Sequence, residues 1–219
     1  MAPSSDSPSA PNPSGIPSSA KPAPCSGCGF HYNCLCDAVP RLDSKVRIEL
    51  LMHETETERA TNTGQLLEAC LPYCRRHVWQ RKDPPIELLT LLADPAAEPV
   101  LVFLSDDAVP LEQITARRCS KPEAKPIHFI ILDATWQQAK KMRNKSPWLQ
   151  DIPTVVLPSG LVTEYSLRRN QPEGALCTCE VGIVLMKAMG EQENAEKVDQ
   201  YFHHFMDTFD ADRQHKSVR

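Results

Sequence analysis

The sequence predicts an α/β domain built on a mostly parallel sheet, and three observations carry that prediction. Apolar runs of strand length alternate with segments of helical spacing, the order that places helices on both faces of a parallel sheet. The clearest run, Ile127 to Asp133 (IHFIILD), is apolar along most of its length, as a strand covered on both faces must be. That run also ends on an acid that opens a helix, at the strand end where open α/β sheets gather their ligands.

The elements follow in order. Met1 to Pro24 holds seven Pro and seven Ser and almost no large apolar side chain. It cannot bury enough surface to offset chain entropy, so residues 1–24 are expected to be a disordered tail. This tail lacks the basic start and apolar run of a secretory signal. No stretch of the chain approaches the roughly 20 apolar residues of a membrane span. A cytoplasmic protein with reduced thiols and no membrane partner is therefore expected. The 219 residues suit one domain with extras: the tail, a Cys-rich knot over residues 25–40, and a main domain over residues 41–213.

Within the main domain, Val46 to His53 (VRIELLMH) reads as a buried strand. Thr61 to Thr63 are natural N-caps for the helical stretch that follows Gly64. Glu87 to Asp94 (ELLTLLAD) fits a strand or a helix equally. Val100 to Ser105 is a second strand, and Pro110 begins a short helical stretch to about Arg118. Beyond Asp133 the pattern is helical from Trp136 to Lys145, where Pro147 ends it. Thr154 to Leu157 is a short strand closed by Pro158, Ser159 and Gly160. Tyr165 to Gly174 is an irregular loop. Two helices close the chain, about Thr178 to Met189 and Asn194 to Phe209. Val198, Phe202, Phe205, Met206 and Phe209 line one face of the second, a stripe expected for core packing.

Charge weighs mildly against a nucleic-acid partner, because 24 basic and 28 acidic residues leave a net charge of −4. The distribution softens this. Residues 110–145 hold eight basic and three acidic side chains, and residues 190–212 hold seven acids and one Lys. Two readings fit: a phosphate-binding face beside an acidic helix, or two ordinary solvated faces.

Cys25, Cys28, Cys34 and Cys36 form C-x2-C-x5-C-x-C. Four thiolates in so short a segment match a tetrahedral zinc site. Gly27 and Gly29 allow the tight curl, and the metal would supply the folding energy the segment lacks. Unliganded thiols or a redox pair are the alternative, and His31 is a substitute ligand. Cys70 and Cys74 read as packing residues. Cys177 and Cys179 flank Thr178, as small buried hydrophobes or as a catalytic thiol.

Asp133 invites two readings: a group placed for chemistry, or, with Thr135, a simple helix cap. Trp136 in the first helical turn suits stacking on an adenine or a base, or wedging the helix against the sheet. Lys140, Lys141, Arg143 and Lys145 run on from this point and could grip phosphates.

These residues carry a family resemblance. Asp133-Ala134-Thr135-Trp136 resembles the D-x-T-W signature of DTW-domain proteins. His53-Glu54 with Arg59 and Thr61-Asn62-Thr63-Gly64 resembles the family's H-x-x-E/R-x-T-N-T-G block. Tyr165 to Arg169 with Pro172 and Gly174, then Leu176 to Glu180, resembles its Y-x-L-R…G-x-L-C-T-x-E block, with Cys179 where a bulkier apolar residue is expected. The Cys25–Cys36 cluster resembles its N-terminal metal knot. The blocks span about Cys25 to Gly190 in the family's order.

The resemblance implies a tRNA-uridine aminocarboxypropyltransferase. The implied fold is SPOUT-like, a mostly parallel α/β sheet with a C-terminal trefoil knot that binds S-adenosylmethionine, preceded by a small zinc-binding knot. The implied reaction moves the 3-amino-3-carboxypropyl group of S-adenosylmethionine to N3 of a tRNA uridine and releases 5′-methylthioadenosine. Asp133 is the expected general base. Thr135, Trp136, Leu157, Pro158, Tyr165, Leu167, Arg168, Cys177 and Thr178 are expected at S-adenosylmethionine. Arg59, Asn62, Thr63, Lys140, Lys141, Arg143, Lys145 and Arg169 are expected at tRNA, and a monomer is expected. His53 is either a satisfied core histidine or a uridine contact, and Glu180 either a first-turn acid or a catalytic one. Two rival functions stay open: a SPOUT-type RNA methyltransferase using the same cosubstrate, and a non-enzymatic zinc-bearing RNA-binding module.

Overall fold

The computed structural model describes residues 21–119, 124–167 and 176–216. Six strands run as β1 (Arg47–His53), β2 (Cys74–Trp79), β3 (Glu98–Val102), β4 (Val109–Pro110), β5 (Ile127–Asp133) and β6 (Thr154–Val156). They stand in the order β2-β1-β5-β3-β6-β4, and every neighbouring pair is parallel. Between and after them lie α1 (Gly64–Cys70), α2 (Ile86–Ala93), α3 (Leu111–Cys119), α4 (Trp136–Lys145), α5 (Pro147–Gln150), α6 (Thr178–Ala188) and α7 (Gln192–Arg213).

Successive side chains of each strand point to opposite faces, and helices cover both faces, so two separate cores form. On one face Ile48, Leu50, Phe129 and Ile131 pack against Leu66 and Leu67 of α1, Ile183 and Met186 of α6, and Phe202 and Phe205 of α7. On the other, Leu51, Trp79, Ile130 and Leu132 pack against Leu88 of α2, Ala139 and Met142 of α4, and Leu149 of α5. Each such large side chain contributes roughly 1.5–3 kcal/mol by leaving water. β5 is buried at all seven positions, as its apolar run predicts. Helices α1 and α6 approach closely because position 182 is Gly: a Cβ there would lie 2.5 Å from a Leu67 methyl.

Five elements add to or differ from expectation. The ambiguous ELLTLLAD segment is the helix α2, with Pro85 at its N-cap position. The strand expected at Val100–Ser105 spans Glu98–Val102; Phe103 still donates its N–H to Val155 O at 3.0 Å, and its ring makes an aromatic contact described below. β2, with sequence CRRHVW, was not predicted. It is an edge strand whose Arg75 and Val78 face solvent while His77 and Trp79 are buried, so its charge masks the alternation. The two-residue β4 carries too little pattern to be seen. The C-terminal helix runs from Gln192 to Arg213, beyond the expected Asn194–Phe209. Gly190, at φ 81°, makes the left-handed turn that separates it from α6.

The cysteine knot docks on α7. Phe30 packs against Phe205 and Phe209 with ring centroids 6.1 Å apart in each pair. The Asp212 carboxylate accepts the backbone N–H groups of His31, Tyr32 and Asn33 at 2.6–3.1 Å. Among the described residues, no helix is long and apolar enough to cross a membrane.

Candidate active site

All six strands end on the same side of the molecule, and the sequence motifs meet there. Asp133, the last residue of β5, is 3% exposed. Its Oδ2 accepts Asn62 Nδ2 at 2.8 Å and its Oδ1 accepts Thr178 Oγ1 at 2.7 Å. Asn62 comes from the loop between β1 and α1, and its own Oδ1 accepts the N–H of Gln65 at 3.2 Å. Thr63 Oγ1 accepts the N–H of Cys179 at 3.2 Å, and Tyr165 donates its hydroxyl to Thr61 O at 2.6 Å. One carboxylate thus joins segments 71 and 45 residues away in sequence. Gly64 is needed at this junction: a Cβ there would lie 2.6 Å from Asp133 Oδ2 and 3.2 Å from Asn62 Oδ1.

This geometry settles the capping question. Thr135, not Asp133, caps α4, in a capping box with Gln138. Thr63 occupies the N-cap position of α1 but makes no side-chain cap bond, since its hydroxyl serves α6 instead. Asn62 and Thr63, expected at RNA, are buried and committed inward. Their visible work is to hold Asp133 and the start of α6.

Outside the junction lies an aromatic rim. Trp136 is 38% exposed and stacks on Phe103, with centroids 5.2 Å apart and planes 17° apart. Lys140 Nζ lies 5.0 Å from the Trp136 ring centroid and the Arg143 guanidinium 5.3 Å from that of Phe103. Arg143 also reaches Asp107 at 3.6 Å. Lys141 and Lys145 are exposed. Arg59 is exposed and pairs with buried Glu56 at 3.1 Å. Leu157 and Leu167 are half-buried against the α6–α7 core, and Pro158 is exposed. Arg168 and Arg169 lie outside the described residues.

Glu180 organises the loop before α6. Its carboxylate accepts the N–H of Cys177 at 2.6 Å, the N–H of Glu164 at 2.6 Å and the Thr163 hydroxyl at 2.8 Å. It is therefore both a first-turn acid and a staple for the 163–165 segment. Burial pushes the Cys177 thiol up to about 12 and raises that of Cys179 as well. Neither is poised as a thiolate nucleophile, which favours the reading of both as small buried hydrophobes.

The cysteine knot has the geometry of a metal centre. The four Sγ atoms lie within 4.8 Å of one another. Cys25 Sγ stands 3.7 Å from both Cys34 Sγ and Cys36 Sγ. Four sulfurs about 2.3 Å from a tetrahedral ion are about 3.8 Å apart, so the donor set fits. Backbone N–H groups of Cys28 and Gly27 hold the Cys25 thiol down to about 6. Gly27 is required by closeness, since a Cβ would fall 2.6 Å from Cys36 Sγ.

Three groups were missed from sequence. Phe103 gave no sign of pairing with Trp136, 33 positions on. Asp212 belongs to the acidic stretch of residues 190–212, where nothing distinguishes it. Glu49 of β1 is buried between His77 of β2 and His128 of β5, at 2.7 and 3.0 Å, though it lies inside an apolar strand pattern. An acid at an inward position of a buried strand was the available signal.

Comparison with known proteins agrees with the motifs. Residues 23–210 match the family model of the DTW domain. The chain is 30% identical over 154 residues to tRNA-uridine aminocarboxypropyltransferase 2 of Drosophila melanogaster, covering 67% of this chain and 58% of that protein. It is 27% identical to the protein of the same name from Mus musculus, over 71% of this chain and 52% of the relative. For the Macaca fascicularis protein of that name the figures are 26%, 75% and 56%. The chain thus spans somewhat over half the length of these curated relatives. No solved structure matches at a significant level. With the family match over residues 23–210 and the motifs meeting at one strand end, the chain belongs to the DTW domain family.

Proposed function

We propose that this protein transfers the 3-amino-3-carboxypropyl group of S-adenosylmethionine to N3 of a uridine in tRNA, releasing 5′-methylthioadenosine. The observation that carries the reading is the Asp133 junction, where three motif segments meet on one buried carboxylate. The names of the relatives point the same way. The reading includes a SPOUT-like knotted arrangement, supported by the insertion of β6 between β3 and β4.

S-adenosylmethionine, when bound, supplies a sulfonium whose attached carbons are all activated toward a nucleophile. The chain's part is to choose which carbon faces the base and to free the nucleophile. Trp136 offers an exposed ring at the rim for a flat heterocycle, with Leu157, Pro158 and Leu167 on the side toward α6. Thr178, Cys177 and Tyr165 shape the junction where the aminocarboxypropyl arm would lie, and Arg168 is assigned to its carboxylate. Asp133 takes the N3 proton, which makes an otherwise poor nucleophile competent. Lys140, Lys141, Lys145 and Arg59 are exposed for tRNA phosphates, with Arg143 and Arg169 assigned to the same role. The cysteine knot holds a structural zinc, since four thiolates leave no open position.

The test is product analysis of purified protein incubated with tRNA and S-adenosylmethionine. The expected products are 5′-methylthioadenosine and an aminocarboxypropyl-uridine nucleoside. S-adenosylhomocysteine with a methylated nucleoside would replace the reading with methyl transfer. The absence of both products, with cosubstrate unbound by calorimetry, would leave an RNA-binding module.

A further inference from the structure

Two aromatic rings and two cations form one stack beside the start of α4. Trp136, Lys140 and Arg143 stand at i, i+4 and i+7 of the helix, so they share one side of it. Phe103, just past β3, lies against that stripe, its ring stacked on Trp136 with centroids 5.2 Å apart and planes 17° apart. Lys140 Nζ stands 5.0 Å from the Trp136 centroid, and the Arg143 guanidinium 5.3 Å from that of Phe103. The stack is anchored at its inner end. Phe103 packs against the core shared with α2, α4 and α5, its N–H donates to Val155 O at 3.0 Å, and Asp107 holds Arg143 at 3.6 Å. Its outer end is open: Trp136 is 38% exposed, Lys140 is exposed, and Leu104 beside Phe103 is 64% exposed. A side chain that only wedges a helix against a sheet is buried there. This ring is held flat from behind and left in water.

Two flat heterocycles compete for such a ring: the adenine of S-adenosylmethionine and a base of tRNA. The sheet separates them. Of the other residues expected at S-adenosylmethionine, Leu157, Tyr165, Leu167 and Cys177 all belong to the core of α1, α6 and α7. Asp133 reaches toward that same face, through Asn62 and Thr178. Phe103 and the buried residues of α4 belong to the opposite core. Trp136 is therefore held on the side of the sheet away from the side chains that would surround the cosubstrate. Its own side is basic. α4 carries Lys140, Lys141, Arg143 and Lys145 and no acid. The acids of the loop after Phe103 are Asp106 and Asp107, and Asp107 is engaged with Arg143. A flat exposed ring among cations complements a stacked base with its phosphate, which is how proteins grip single-stranded nucleic acid.

We propose that Trp136, backed by Phe103, is a stacking platform for one unpaired base of the tRNA, a neighbour of the modified uridine and not that uridine itself, and that Lys140 takes the phosphate of the same nucleotide. This deepens the proposed function and rests on it for the identity of the RNA. Three residues of chain separate Trp136 from Asp133, at most about 11 Å, so the platform and the acid suit two nucleotides close together on one strand. Lys140 rests on the Trp136 ring in this structure. An exposed cation–π contact is weaker than base–aromatic stacking, so an arriving base displaces the ammonium, whose flexible stem carries it to the phosphate. Every base has a π-face, so the platform recognises that a nucleotide is unpaired and not which base it carries. Phe103 is a positioning residue: it fixes the plane of Trp136 and needs no contact with RNA.

The experiment measures binding by the full chain to unmodified tRNA transcripts, to a short single-stranded oligoadenylate and, by calorimetry, to S-adenosylmethionine. Trp136→Ala should weaken both RNA complexes about 5- to 100-fold and leave the Kd for S-adenosylmethionine unchanged, with Trp136→Phe recovering most of the loss. The loss should be the same at low and high salt, because stacking releases no counterions, whereas Lys140→Gln should reduce the salt slope by about 1. Weaker S-adenosylmethionine binding with RNA affinity intact gives the ring to adenine and overturns the inference. Unchanged affinity for all three ligands makes Trp136 a wedge and overturns it too. A second measurement is independent of variant folding. In wild-type protein labelled with 5-fluorotryptophan, oligoadenylate should shift the Trp136 fluorine resonance, and an RNA duplex of equal length should not. An equal shift with the duplex, or a larger one with S-adenosylmethionine, overturns the inference. Product analysis is read separately. Trp136-dependent RNA binding by a wild-type protein that makes no methylthioadenosine overturns the proposed transfer and leaves the platform standing; methylthioadenosine formation with tRNA binding indifferent to Trp136→Ala does the reverse.

Discussion

Asp133→Asn separates the structural role of the junction from the proposed role of Asp133 as base. Asn is nearly isosteric with Asp, and it can turn its oxygen toward Asn62 Nδ2 and its amide toward Thr178, whose hydroxyl rotates to accept. Both contacts then survive as neutral hydrogen bonds. Bonds to a charged partner are worth about 1.5–3 kcal/mol and neutral ones about 0.5–1.5, so the two together should weaken by roughly 2 kcal/mol. In a domain of this size that is a drop of about 4–8 °C in Tm. Asp133→Ala is harsher, because it strands the Asn62 amide and the Thr178 hydroxyl without an acceptor, at about 1–3 kcal/mol each. A base cannot be replaced by an amide, so Asp133→Asn should slow single-turnover methylthioadenosine formation by about 10²–10⁴-fold. Its calorimetric Kd for S-adenosylmethionine should change little. Turnover within about threefold of wild type in this folded variant would refute the base assignment. A rate and an affinity that fall together would instead make Asp133 an anchor for the cosubstrate.

Three further outcomes follow from the packing. Gly64→Ala places a methyl 2.6 Å from Asp133 Oδ2; displacing that carboxylate by a fraction of an ångström should cut the rate about 10²-fold, and an unchanged rate would show that its position is not critical. Asp212→Asn weakens the grip of α7 on the three amides between Cys28 and Cys34, so a chelator should strip zinc from the full chain about 10-fold faster or more; purified wild-type protein without about one zinc per chain would contradict the metal assignment. For Glu49, burial alone would raise the carboxyl, but hydrogen bonds from His128 and His77 outweigh it and hold the group below its usual range. A depressed folded value means stability that is present above the unfolded glutamate value of about 4.3 and lost as pH falls through the folded one. Glu49→Gln should flatten that acid limb in pH-dependent melting, and an unaltered limb would show that the cluster does not set it.

How far the sequence could reach depended on whether a feature was local. β5 was legible because seven consecutive side chains of one strand report its burial. The cysteine cluster was legible because all four thiols lie within twelve residues, close enough for a tight curl to bring them together. β2 was not, because an edge strand with Arg75 and Arg76 looks like a charged loop until a neighbour fixes which side faces water. The roles within the site were harder still. Asp133 and Thr135 each satisfy a cap pattern, and only the observed bonds assign the cap to Thr135 and leave Asp133 to Asn62 and Thr178. Thr63 was readable as a cap and is instead a brace for Cys179, because the helix that uses it begins 114 positions after α1 does. The motif T-N-T-G therefore looks like a substrate loop in one dimension and acts as a frame in three. Its Asn and Thr reach inward to the acid and to α6, its Gly clears space for the carboxylate, and the exposed surface beside it belongs to Trp136 and the lysines of α4. In this fold the buried motif residues hold the shape of the strand-end junction, while Trp136 of the same signature stays exposed at its rim, stacked on Phe103.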